Sequence, residues 1–242
     1  MVAIAAVSPR ATAGESPRGA PATRAEIQIG LCGPPDRIER ALDLVPRGAP
    51  IEVWLFDDAA LTLFGRGLRL RLRVAKGGSE FALKVADQDC AKLDPKAVPR
   101  GQGKCEYDVH GASMAGAVTL TRALNARETS DLMAGRVPPA QMLSAAQTRY
   151  LRDVVGLWPL PPALRGLGPI SLRSYATRTG SYDVDLTQLP AGEQYVEISR
   201  KVKVADATKA MGVLEADLAR AGVEACADQS AQSVNKLRAL LR

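Results

Sequence analysis

The chain has 242 residues, of which 46% are hydrophobic, 24% charged and 4% aromatic, and its 32 basic against 26 acidic side chains give a formal net charge of +6. That length holds one full domain or two small ones with a sizeable core, and no apolar run approaches the roughly 18 residues of a membrane-spanning helix. A single histidine, His110, leaves no material for Ser-His or Cys-His triads of the usual kind or for a histidine-rich zinc cluster, so any chemistry has to run on carboxylates and cations.

Residues 1–23 mix Ala, Pro, Gly and Ser with Arg10 and Arg18. Their apolar opening of about six residues is shorter than a secretory core of roughly 7 to 15, so the segment reads as a disordered leader, followed by one domain over 24–242. Strict alternation then marks a strand at 25–31, with Ile27, Ile29 and Leu31 on one face and Glu26, Gln28 and Gly30 on the other. Pro34 and Pro35 open an amphipathic helical run over 36–45, residues 51–56 read as a second strand, and 61–64 as a short turn or helix.

Residues 68–74 are the most informative. Leu68, Leu70, Leu72 and Val74 point one way, and Arg69, Arg71 and Arg73 the other. The turn chemistry of Lys76, Gly77, Gly78 and Ser79 joins this strand to 81–85, which places Lys84 on the polar face, so the pair predicts a hairpin. Residues 104–109 alternate again, with Lys104, Glu106 and Asp108 on one face. From about 113 to 166 the character is mostly helical, best at 140–155 and broken by Pro159, Pro161 and Pro162. Strands resume at 170–177, 182–187 and 194–204, presenting Arg173, then Asp183 with Asp185, then Glu197, Ser199, Lys201 and Lys203; helical runs at 206–221 and 228–241 close the chain.

Cys32, Cys90, Cys105 and Cys226 are widely spaced and form no C-x-x-C pair, so they read as small buried hydrophobes in a reducing cytoplasm. Trp54 and Trp158 read as packing residues, and His110 as a loop or strand-end residue. Nucleic-acid binding would call for an exposed basic patch with interleaved aromatics, and the aromatics are too few.

A charged face on one strand is ordinary solvation, but several strands sharing it are not. Like charges on neighbouring strands cost roughly 0.2 to 1 kcal/mol each, and Arg69, Arg71, Arg73 and Lys84 are set side by side. Opposing carboxylates or a bound polyanion would neutralise them, and the later strands supply Glu106, Asp108, Asp183, Asp185 and Glu197. The pattern predicts an α+β fold: an antiparallel β-barrel with apolar faces outward under helices and both signs of charge inside. Arginines clasp phosphoryl oxygens bidentately, and inward carboxylates could hold Mg2+ or Mn2+.

In the order of these elements the chain resembles the CYTH superfamily, the triphosphate tunnel metalloenzymes. The family's opening E-x-E-x-K falls on Glu26, Ile27, Gln28, Ile29 and Gly30, and its Y-F-D-T-like stretch on Leu55, Phe56, Asp57 and Asp58. Its L-R-x-R falls on Leu70, Arg71, Leu72 and Arg73, its lysine-ending strand on Phe81 to Lys84, and its R-x-E-x-E on Lys104 to Asp108. Its later basic pair corresponds to Arg173 and Arg178, an aspartate to Asp185, and a late E-x-E to Glu197, Ile198 and Ser199; Ser233, Val234, Asn235 and Lys236 resemble a serine-lysine signature of some members.

The resemblance implies an eight-stranded antiparallel tunnel that holds a triphosphate or polyphosphate small molecule. Arg69, Arg71, Arg73, Lys84, Lys104, Arg173 and Arg178 would bind phosphate; Glu26, Glu106, Asp108, Asp185 and Glu197 would hold Mg2+ or Mn2+, with Glu26 and Glu197 closest to the chemistry. Three positions depart from the pattern. Gln28 and Ser199 replace glutamates and Gly30 replaces the lysine, which weakens the metal side. Two functions therefore stand: a metal-dependent triphosphate hydrolase, or a catalytically weakened module that binds a nucleotide, polyphosphate or other anion as a sensor.

Overall fold

A computed structural model describes residues 24–94, 96–99, 101–229 and 236–241. The leader at 1–23 and the residues Ser233, Val234 and Asn235 lie outside the described residues. The alternating segments form strands: β1 (Arg24–Cys32), β2 (Leu44–Pro46), β3 (Ile51–Asp57), β4 (Leu68–Ala75), β5 (Gly78–Val85), β6 (Gly103–His110), β7 (Ser113–Leu124), β8 (Arg165–Thr177), β9 (Asp183–Gln188), β10 (Gln194–Lys203) and β11 (Glu224–Ala225). Nine of them close a barrel in the order β1-β10-β9-β8-β3-β4-β5-β7-β6; β2 adds to β8 and β11 to β1 from outside. The seam is three parallel pairs between β6 and β1, while every other pairing is antiparallel.

The ninth strand is β7, in the stretch that sequence pattern assigns to helix. Its inward positions carry Ala117, Thr119 and Thr121, so no charge alternation marks it, and alanine favours helix locally. Pairing with β5 on one side and β6 on the other overrides that preference. Gly116 is required here, because a Cβ would sit 2.0 Å from the Gln88 carbonyl oxygen of the crossing loop.

The outward faces make the core. Leu68, Leu70, Leu72, Phe81, Leu83, Val118 and Leu120 pack under α2 (Thr62–Gly65), α3 (Ala126–Met133) and α4 (Ala145–Tyr150). Gln147 on α4 is wholly buried and donates from Nε2 to the carbonyls of Phe81, at 3.2 Å, and Leu120, at 3.0 Å, tying the helix across β5 and β7. On the other side Ile27, Ile29, Val184, Val196 and Ile198 pack against α1 (Pro35–Ala41) and against Ala207, Met211, Leu214 and Leu218 of α5 (Ala207–Ala221). The spacing of those four α5 residues gives one apolar stripe. α1 ends at Ala41, short of the predicted 45, because Asp43 turns to φ +48° and the chain enters β2. The predicted helix at 140–155 is three pieces: a 3-10 turn at Pro139–Met142, α4 with its Ser144–Gln147 capping box, and a π turn at Leu151–Val155. Trp54 packs on the outer core as expected, whereas Trp158 is 38% exposed. No helix among the described residues is long and apolar enough to cross a membrane.

The cysteines are not free hydrophobes. Cys32 pairs with Cys226 and Cys90 with Cys105. Spacing along the chain conceals this, since barrel closure brings the end of β1 beside a residue 194 positions away. The first bridge closes a very long loop, so replacing both Cys32 and Cys226 by alanine is expected to cost about 2–4 kcal/mol in urea denaturation. An unchanged midpoint would contradict that expectation.

Candidate functional site

The barrel encloses a cavity of about 420 Å³ lined by Glu26, Gln28, Arg71, Arg73, Glu80, Lys84, Lys104, Glu106, Asp108, Ala117, Thr119, Thr121, Asp185, Glu197, Ser199 and Lys201. Every strand that contributes does so with its inward face, so the apolar alternation that builds the core is the same alternation that delivers these side chains. Opposite Lys84 and Lys104 stands Thr119, and opposite Arg71 and Glu106 stand Ala82 and Ala117. These small residues leave room for the long side chains to meet.

Arg71 and Arg73 have buried Nε atoms with no hydrogen-bond partner. Burial, followed by repulsion from Arg73, lowers Arg71 to about 10, which still leaves it charged at neutral pH. A buried donor without a partner is costly, and a guanidinium held this way is prepared for an anion. The lysines are engaged instead. Lys84 bonds Asp108 at 2.5 Å, Lys104 bonds Glu106, and Lys201 reaches the same Glu106 carboxylate at 3.6 Å. Burial works to raise Glu106, yet the two lysines hold its carboxyl below the ordinary value. Ser174 donates to Asp185 at 2.6 Å. Glu197 is pushed up by burial, against the pull of Lys236, and the Lys236 ammonium lies 5.0 Å from the Tyr195 ring centre.

Not every predicted residue reaches this cavity. Arg69 shares the inward face of β4, but its guanidinium stacks on Phe64 at 4.5 Å, beside a separate small pocket. Arg173 is exposed: its neighbour Ser174 takes the inward position opposite Asp185, which turns Arg173 to the outside. Arg178 lies beyond β8 and forms an exposed ion pair with Asp43. His110 stands at the exposed end of β6, as expected. The lining also takes in Ala117, Thr119 and Thr121 of β7 and Glu80 of β5, which the sequence pattern does not single out for the site, and Lys201, which it names only on the polar face of its strand. Glu80 precedes the predicted strand by one residue and shares the face of Lys84; Lys201 continues the face of Glu197 and Ser199 on β10.

Five cations and six carboxylates line the cavity, so it is a charge-matched interior rather than a purely cationic one. The carboxylates do not fit a divalent cation as they stand. Among the described residues no three His, Cys, Asp or Glu side chains come together as a metal group, and Glu106 and Asp108 are committed to lysines.

No protein-family model matches the chain, and no curated protein matches it. Solved structures do share its fold. One is a candidate adenylyl cyclase from Hippeastrum, described as revealing a dominant triphosphatase activity: 16% identity, 86% of this chain and 92% of that chain covered, TM-score 0.55. Another is a candidate adenylate cyclase from Bacillus halodurans, at 14% identity, with 86% and 96% covered and a TM-score of 0.54. The likeness shows a shared fold, the barrel that the resemblance of the sequence to the CYTH superfamily implies.

Proposed function

We propose that the barrel interior binds the phosphate chain of a triphosphate or polyphosphate small molecule. The observation that carries this reading is the pair of half-buried arginines, Arg71 and Arg73, which line a cavity of about 420 Å³ and whose buried Nε atoms have no partner. Bidentate donation from two arginines on one strand suits successive phosphoryl groups. Lys84 on the neighbouring strand β5, and Lys104 and Lys201 on β6 and β10, supply further charge. Nucleic acid is not the proposed partner, because these cations face inward.

Hydrolysis of the bound chain is the second reading, favoured by the activity described for the Hippeastrum protein of the same fold. In it Arg71 and Arg73 would stabilise charge developing on the transferred phosphoryl group, and Glu26 or Glu197 would orient the attacking water. Neither Mg2+ nor Mn2+ enters this reading, since the donor set does not fit one. Tripolyphosphate and ATP, screened together for thermal stabilisation and for phosphate release, separate the readings. Stabilisation without release identifies a binding module; release identifies a triphosphatase; neither would refute the site.

The expectation of a reducing cytoplasm rests on unpaired cysteines. With Cys32–Cys226 and Cys90–Cys105 formed, the protein fits an oxidising compartment better.

A further inference from the structure

The register of β1 against β10 decides what the carboxylates can hold. Glu26 faces Lys201, Gln28 faces Ser199, and Gly30 faces Glu197. The two remaining carboxylates of this wall, Glu26 and Glu197, therefore stand on backbone positions four residues apart along the sheet, about 14 Å at the antiparallel rise of roughly 3.4 Å per residue. Between them lies a row made of an amide and a hydroxyl. A Mg2+ ion needs several oxygens at about 2.1 Å and is held best by carboxylates. Glu197 has one carboxylate directly opposite it, Asp185 on β9, which accepts from Ser174, and among the described residues no third carboxylate joins that pair as a metal group. On the adjoining strand β6, Glu106 is already bracketed by Lys104 and Lys201, and Glu26 sits directly opposite Asp108, itself held by Lys84.

We propose that this interior takes its phosphate chain without a divalent cation, the ammonium groups of Lys104 and Lys201 beside Glu106 supplying the positive charge instead. This rests on the phosphate-chain reading. Glu106 is a placeholder: it neutralises the two lysines while the interior is empty, and phosphate oxygens displace it on binding. A compact, strongly hydrated ammonium with three donors can exchange one oxyanion for another without rebuilding the wall.

Two titrations on the full chain test it. With Mn2+ alone, the native chain is expected to show no saturable binding, and the Gln28→Glu/Ser199→Glu double variant to acquire it, because it restores carboxylates to the empty row. Tight Mn2+ binding by the native chain would overturn the proposal. With tripolyphosphate, affinity is expected to be the same in EDTA as in Mg2+, and Lys201→Met in EDTA to bind about tenfold more weakly, the loss of one charge-assisted contact. Lys201→Arg, which keeps the charge, should retain binding and checks that the methionine variant did not act through misfolding. Binding seen only with Mg2+ would overturn the metal-free claim while leaving the phosphate-chain reading intact. No binding in either buffer would overturn that reading and this one with it.

Discussion

Arg71→Met is expected to weaken tripolyphosphate binding by about ten- to a hundredfold, the equivalent of one charge-assisted or bidentate contact of about 1.5–3 kcal/mol. Stability of the ligand-free protein should not fall with it. Arg71 is buried beside Arg73, and desolvation followed by that repulsion holds its pKa down at about 10, so an apolar side chain of similar length relieves a cost already present in the folded state. Affinity and stability thus move apart, which a merely structural arginine would not produce. Arg173→Ala and Arg178→Ala serve as controls, since both side chains stand outside the cavity. Calorimetry and a thermal melt on the same samples read both quantities. Equal binding by Arg71→Met would remove that arginine from the site.

The second large effect concerns Asp57, a 3% exposed carboxylate at the end of β3. Its Oδ1 accepts from the backbone N–H of Asp58 at 2.9 Å and of Leu63 at 3.0 Å, and its Oδ2 from Phe64 at 2.9 Å. One side chain therefore satisfies three donors at the turn into α2, and the buried Leu63 N–H has no water to fall back on. Asp57→Ala is expected to cost about 3 kcal/mol in urea denaturation, with Asp57→Asn retaining part of it. A loss below about 1 kcal/mol would mean that the turn repairs itself. The aspartate of the family-like stretch is thus a fold residue rather than a phosphate or metal ligand, and it places Phe64 where it can stack on Arg69.

Most of the barrel is legible in the alternation of the sequence. Where apolar and charged residues alternate strongly, as at Leu68 to Arg73 or Glu26 to Leu31, both the strand and its inward face follow from the residues themselves. Where the inward face is small and uncharged, as at Ala117 and Thr119, the period vanishes and local propensity misleads, which is why β7 reads as helix. Arg173 shows a different failure. The strand is legible, but its phase is set by pairing, with Ser174 opposite Asp185, and a slip of one residue exchanges inside for outside. The Cys32–Cys226 disulfide and the Lys201–Glu106 contact depend on barrel closure between distant segments, for which a single sequence carries no local mark. The three departures at Gln28, Gly30 and Ser199 stand open in the sequence; that Gln28 and Ser199 face each other, so that both losses fall in one row, follows only from the register.

The central claim is that the interior, through Arg71 and Arg73, holds a phosphate chain. Calorimetric titration of tripolyphosphate into the native chain and into the Arg71→Met/Arg73→Met double variant, both in EDTA, tests it most directly. Saturable one-to-one binding by the native chain and none by the variant is the predicted result. Absence of binding by the native chain, or undiminished binding by a folded variant, would contradict it.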